Sequence, residues 1–298
     1  MPTTSLTLQA LLKTAAARAG FGGPDSSLAG LSPAAKGFAM AVVAGGGPVV
    51  VVVPTDGDVD QMTADIRFFL GGLEGLSSYD LSRSVLPFPS HEVDPYRGLA
   101  PHFDVASARG QALHALAGGS ARVVVAAAAA LLPRLSLPTR ILAAGRGLAV
   151  GALLEPPALG DQLVDAGFTP EDPVETHGEF CIRGGVVDFF PAGDDQPIRA
   201  EFAGDSLESL RRFDPSTQRS TQVLDRADII LLRELFELED GDGMELDRSA
   251  WFGDYLTRGS GVRVYLSEAD ESQRVVEACL RQAATGFADA EARGESVR

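Results

Sequence analysis

Five consecutive valines, Val49 to Val53, give the strongest signal along the chain, because an unbroken β-branched run suits a strand buried on both faces of a parallel sheet. Around it, apolar positions recur at helical spacing. Leu8, Leu11, Leu12 and Ala15 make one stripe, capped by Thr7 or Ser5 and closed near Gly20. After a loop at Gly22 to Leu28, a short helix is expected around Lys36 to Ala44. Val59, Met62, Ile66 and Phe69 mark another helix, capped by Asp56 or Asp58, and Asp104 opens one that closes at Gly118-Gly119. Val85 to Phe88 and Val123 to Val125 read as further strands. Strands and helices therefore alternate through residue 133, the pattern of an α/β domain with right-handed crossovers.

Beyond Pro133 to Pro138 the pattern changes to short alternating strands and turns through Leu232, which reads as an inserted α+β domain. Its most informative stretch runs from Gly178 to Ala203. One strand rises to Arg183, breaks at Gly184-Gly185, and resumes from Val186 to Phe190 until Pro191 stops it. Ala192-Gly193-Asp194-Asp195 has turn composition, and Pro197 opens a second strand. There Ile198, Ala200 and Phe202 share one face while Arg199, Glu201 and Ala203 share the other. Glu234 to Asp247 reads as a solvated acidic linker, since its oxygens do not keep the alternate spacing of a calcium loop. Val262 to Leu266 then returns to a strand, and Ser267 to Asp270 cap a helix carrying Val275, Val276 and Leu280. The expected division is 1–145, 146–232 and 233–298.

Composition narrows the class. With 298 residues and 45% hydrophobic content the chain can bury a sizeable core in two or three domains. A formal charge of -16 argues against a nucleic-acid backbone as the main partner, because phosphate affinity needs clustered cations. A basic patch on another protein fits better. Cys181 and Cys279 stand in no paired spacing, so neither a disulfide framework nor a zinc site is indicated, and a reducing cytoplasm is expected. The longest apolar run, Val123 to Leu132, is about half of the roughly 20 residues that span a bilayer. Met1 to Leu12 lacks the regions of a signal peptide.

Candidate chemistry is sparse. A phosphate loop needs glycines followed by Gly-Lys-Ser/Thr, and the nearest segment, Leu31 to Gly37, places Lys36 before its glycine. Gly45-Gly46-Gly47 has no lysine. His91 and His102, with Glu92, Asp94 and Asp104, could be assembled into a metal or acid-base site, but plain surface histidines in a proline-rich loop are the better reading. His114 and His177 have no neighbouring nucleophile, and no Gly-x-Ser-x-Gly elbow is present. No catalytic residue, cofactor or metal is therefore expected.

The ordered series GEFCIRGGVVDFFP, Pro197 to Phe202, Gly204 to Arg211 and Phe213 to Ser220 resembles the module shared by the bacterial transcription-repair coupling factor and the excision-repair protein UvrB. Phe88-Pro89-Ser90 and the run Pro101 to Arg109 are more similar to the coupling factor. The resemblance implies a P-loop-NTPase-like parallel α/β domain with a degenerate phosphate loop, interrupted by an inserted α+β domain that binds the damage-recognition ATPase UvrA. It places the partner contacts on Arg183 and Arg199, and an aromatic of some members falls on Ala203, where this sequence departs from the family. Against it stands the reading in which these arginines pair only with neighbours such as Glu179 or Glu201. The resemblance further implies a non-enzymatic fragment, reaching RNA polymerase and DNA only through parts outside this sequence. Two alternatives remain, a piece of a UvrB-like ATP-dependent DNA-processing enzyme whose motor is missing, and a fragment without activity of its own.

Overall fold

The structure, a computed structural model, describes residues 7–21, 27–91, 96, 101–191, 194–237, 245–256 and 261–294. Ser5, Glu92, Asp94, Ala192 and Gly193, most of the loop expected before Leu28, and the middle of the acidic stretch lie outside the described residues. Among the described residues the helices are α1 (Leu8–Ala19), α2 (Pro33–Val43), α3 (Asp56–Glu74), α4 (Ser78–Ser84), α5 (Phe103–Ala117), α6 (Pro138–Ala144), α7 (Pro156–Ala166), α8 (Phe252–Leu256) and α9 (Ala269–Ala292). The strands are β1 (Val49–Val53), β2 (Val85–Phe88), β3 (Val123–Ala127), β4 (Arg146–Ala149), β5 (Thr169–Pro170), β6 (Glu179–Arg183), β7 (Val186–Phe189), β8 (Ile198–Ala203), β9 (Ser206–Phe213), β10 (Ser220–Leu224), β11 (Arg226–Ile229) and β12 (Arg263–Leu266). This is a mixed α/β protein with one parallel sheet and additional sheets.

Contacts gather the chain into two units, Met1–Ala100 with Gly118–Pro133 and Tyr255–Arg298, and Pro101–Ala117 with Arg134–Asp254. The first is built on a parallel sheet in the order β12-β1-β3-β2. Val49–Val53 pair residue for residue with Val123–Ala127, and both strands are buried throughout. That burial is what the unbroken valine run anticipates. Thr55 begins α3 with a capping box, donating its amide to Asp58 Oδ2 at 3.1 Å while its Oγ1 accepts from the Asp58 amide at 3.2 Å. The polar helix α4 has no stripe long enough to announce it. At α9 the expected side-chain cap is absent; Glu268 stands at the cap with φ 48° and turns its carboxylate to Lys36, 2.5 Å away. No helix among the described residues is long and apolar enough to cross a membrane.

The second unit holds a six-stranded sheet in the order β10-β9-β8-β7-β6-β5, antiparallel except where β5 meets β6, and a two-stranded ribbon of β4 and β11. Gly184, at φ 61°, supplies the left-handed residue that the two-residue turn between β6 and β7 requires. In α5, Gly110 lets the helix backbone come against the Leu231 carbonyl, where a Cβ would sit 2.2 Å from the oxygen. Beside it, Arg109 is fully buried and forms a bidentate ion pair with Glu234, one contact being Nη2 to Oε2 at 2.9 Å. Asp247 is also buried, accepting from the Leu137 amide at 2.9 Å, and Ser136 donates to the Asp247 carbonyl at 2.9 Å.

These contacts correct the solvated-linker expectation for Glu234 to Asp247. Both ends of that stretch are buried, each carboxylate being hydrogen-bonded, Glu234 to Arg109 and Asp247 to the Leu137 amide. They also tie α5 and segments 134–145 and 233–254 to the unit that contains the six-stranded sheet.

His114 of α5 lies close against Gly145, and burial holds its pKa below the ordinary histidine value despite the opposing charge of Asp228 and a backbone hydrogen bond at Gly145. Folded chains thus favour neutral His114, while unfolded chains take up a proton near pH 6.5. Its contribution to stability is complete above about pH 6.5 and is lost as the pH falls towards the depressed folded value. Urea midpoints measured from pH 7.5 to 5.5 should decline, and His114→Gln should flatten that decline. An unchanged slope in the variant would assign the decline to other groups.

Candidate partner-binding face

Antiparallel pairing arranges the polar face of the six-stranded sheet in rows, since directly opposed residues project to the same side. One row runs Cys181, Asp188, Arg199 and Arg211 across β6 to β9. The next runs Arg183, Val186, Glu201 and Ser209. A third joins Ala203 to Ser206, which bridges Leu153. The opposite face is core. There Phe180, Val187, Phe189, Ile198 and Ala200 are buried, and Gly160 of α7 approaches Phe180 and Ile182.

Arg183 and Arg199 both stand on the open face, in different settings. Arg199 donates from Nε and from Nη2 to the two oxygens of Asp188, at 2.7 and 2.8 Å, and Nη2 also donates to Gln218 Oε1 at 3.0 Å. Its guanidinium lies 4.6 Å from the centre of the buried Phe213 ring. The hydrogen bonds to Asp188 raise its pKa above the ordinary arginine value, outweighing burial. Asp188 is only 3% exposed, so Arg199 completes a buried ion pair.

Arg183 is more accessible, with 46% of its side chain exposed, and binds Asp172 through two nitrogens, Nε to Oδ2 at 3.1 Å being one contact. Those hydrogen bonds raise the Arg183 pKa and hold the Asp172 carboxyl below its usual range. Its Nη1 lies 4.0 Å from Asp188. Between these groups, burial pushes the Cys181 thiol up and keeps it protonated. Ala203 is exposed at the end of β8, beside the turn into β9.

Both arginines do pair with carboxylates of the same unit, as the alternative reading has it, but with Asp172 and Asp188 rather than Glu179 or Glu201. Glu179 accepts from the amides of Glu175 and Thr176, both at 2.8 Å, and Glu201 takes Ser209 Oγ at 2.5 Å with Arg211 3.8 Å away. Register is the reason. Asp188 lies directly opposite Arg199, whereas Glu201 is two positions further along the same strand. The two-residue turn at Gly184-Gly185 already sets Cys181 against Asp188, so one half of this row could have been read from the sequence. Asp172, carried by a segment before β6, leaves no such signal.

His177 sits between Phe103 and Phe190, its ring centre 3.9 Å from the latter, with Nε2 2.9 Å from the Asp194 carbonyl. His102 and Asp104 meet at 3.4 Å and are both highly exposed. Among the described residues no group of three or more His, Cys, Asp or Glu could hold a metal ion.

Comparison with known proteins finds similarity across the stretch that carries this face. Residues 147–234 match the UvrB interaction domain, and so contain all three rows of the open face. The transcription-repair-coupling factor of Myxococcus xanthus is 34% identical over 209 residues, which is 69% of this chain and 17% of that protein. The chain fits an N-terminal module of the coupling factors. The Escherichia coli coupling factor is 27% identical over 219 residues, 74% of this chain and 18% of its own length. Only part of the chain extends to the second branch of the resemblance. The UvrABC system protein B of Gloeothece citriformis is 35% identical over 118 residues, 40% of this chain and 18% of that protein. The matched stretch is thus a small share of each relative.

Proposed function

We propose that this chain is a non-catalytic module that recruits UvrA, within a cytoplasmic coupling factor that links stalled RNA polymerase to nucleotide excision repair. The observation that carries the reading is the half-exposed Arg183, held by Asp172 on the polar face of the sheet inside the stretch that matches the UvrB interaction domain. Arginine suits this role because its planar fork meets a carboxylate at two points and needs little reorganisation when already oriented. Ala203, on the same face, takes the place of the family's aromatic and offers the partner a small side chain. In this reading the first unit is a P-loop-NTPase-like domain whose phosphate loop has degenerated, divided in sequence by the insertion.

The junction between β1 and α3 supports the non-catalytic part. A phosphate loop joins a strand to a helix N-terminus whose free amides bind the anion. Here the junction is Pro54-Thr55-Asp56-Gly57-Asp58, without lysine, and the capping box already occupies the amides of Thr55 and Asp58. Asp56 accepts from the Ser90 amide and hydroxyl at 2.7 and 2.6 Å, adding negative charge where phosphate would need the opposite. Lys36, the lysine of the segment nearest to a phosphate loop in sequence, is engaged with Glu268 and Ser267.

Titration of the purified chain with purified UvrA tests the proposal. Saturable binding is expected, unchanged by added ATP and magnesium in the absence of UvrA turnover, and no heat should accompany ATP addition to the chain alone. Failure to bind UvrA would remove the reading, and ATP binding by the chain would favour the enzyme fragment instead.

A further inference from the structure

Leu153 and Val223 are the two most exposed large hydrophobic residues among those described, at 72% and 73%, and both fall on one edge of the six-stranded sheet. Single exposed apolar side chains are ordinary on a protein surface, but the two most exposed ones standing two rows apart on one edge of a polar face are a feature to explain. Val223 of β10 is opposed to Arg211, and so extends the row of Cys181, Asp188, Arg199 and Arg211 by one strand. Leu153 bridges Ser206 and extends the row that begins at Ala203. The segment bearing Leu153 is pinned to the start of β9 by Gly151 N to Leu207 O at 2.7 Å and Leu154 N to Asp205 O at 2.7 Å. The Val150 amide donates to the Asp225 carbonyl at 3.1 Å, linking this segment to the end of β10. Both apolar side chains are therefore presented by a paired backbone.

Charge on the same face points to what this edge does. Arg183, Arg199 and Arg211 each have a carboxylate within 4.0 Å, from Asp172, Asp188 and Glu201 respectively. A partner meets a face whose charges are largely matched internally, so ion pairing orients it more than it holds it. Affinity then needs desolvated apolar surface near the centre of the contact. In the third row the small side chains of Ala203 and Ser206 leave the surface low, and Leu153 stands at its far end. With strands about 4.8 Å apart, Leu153 lies roughly 19 Å from Arg183, well inside the span of one protein interface.

We propose that Leu153 and Val223 form the apolar half of the same partner contact in which Arg183 supplies the polar half, and that the partner presents an apolar pocket beside its carboxylate. The inference rests on the reading of this face as the UvrA contact. It assigns affinity to two residues that neither the motif nor the family's arginines mark.

Titration of UvrA into Leu153→Ser, Val223→Ser and the double variant of the full chain tests it. Each single change should weaken binding about tenfold and the pair about a hundredfold. Leu153→Met should bind like wild type, and melting temperatures should not move. Val164→Ser serves as the control, since Val164 is exposed on α7, which packs on the opposite face of the sheet. Wild-type affinity in the double variant, with binding lost in Arg183→Glu, overturns this inference and leaves the UvrA reading in place. No binding by the wild-type chain removes both. Self-association of the chain that Val223→Ser abolishes would assign the edge to a second copy and overturn the proposal as well.

Discussion

Arg109→Ala is expected to lower stability by about 3 to 5 kcal/mol, because it removes the two-point ion pair that offsets the burial of the Glu234 carboxylate. For a unit of this size the melting transition should fall by roughly 10 °C or more. Arg109 is completely buried, so its replacement also opens space that α5 cannot readily close while Gly110 rests against Leu231. Arg109→Lys should not rescue, since one ammonium cannot reproduce the two-point contact with Glu234. The double variant Arg109→Met with Glu234→Leu should recover much of the loss, as well-packed apolar replacements of buried ion pairs often do. Differential scanning calorimetry of the three variants decides between a charge effect and a packing effect. If the double variant is as unstable as Arg109→Ala, the cost lies in shape rather than in the stranded charge.

Charge reversal at Arg183 and at Arg199 is expected to give two different results. Arg183→Glu should abolish or sharply weaken UvrA binding, by at least about 30-fold if its partner carboxylate is desolvated in the complex. Its melting temperature should stay near that of wild type, because a pair as exposed as Arg183 and Asp172 contributes little to folding. Arg199→Glu should instead lower stability by about 3 to 5 kcal/mol, since it sets a second carboxylate against the buried Asp188. Loss of binding in that variant would say nothing about contact unless folding is measured beside it. The sequence pattern treats both arginines as surface groups on one polar face, and for Arg199 the register of β7 and β8 overturns that equivalence. Titration with UvrA, paired with thermal melts, separates the two. A stable Arg199→Glu chain would contradict the role of Asp188 as a buried anion that depends on Arg199.

Much of the candidate face was legible in the sequence. The alternation of Ile198 to Ala203 sets Arg199 and Ala203 on one side of a strand, and Gly184-Gly185 sets the hairpin that brings Arg183 to its end. Both are local rules, a period of two and a turn that tolerates positive φ, so neighbouring residues suffice to state them. Asp172 and Leu153 could not be found in this way. One is brought to Arg183 by a segment that precedes β6, and the other reaches the sheet through a bridge to Ser206. Neither belongs to a strand whose pattern the sequence displays.

What the sequence alone determined is a set of local features, the valine run as a buried parallel strand and the arginines on a polar strand face. These follow from side-chain chemistry and short-range periodicity. Only the tertiary structure decided which charges are matched. Arg109 finds Glu234 across 125 positions, and Arg199 finds Asp188 through strand register, because a buried charge is tolerated only where folding delivers a partner to it. Exposure was decided at the same level. Val223 and Leu153 are as apolar as any core residue, and they face water because β10 and the segment before α7 form the edge of the sheet, with no further strand among the described residues to cover them.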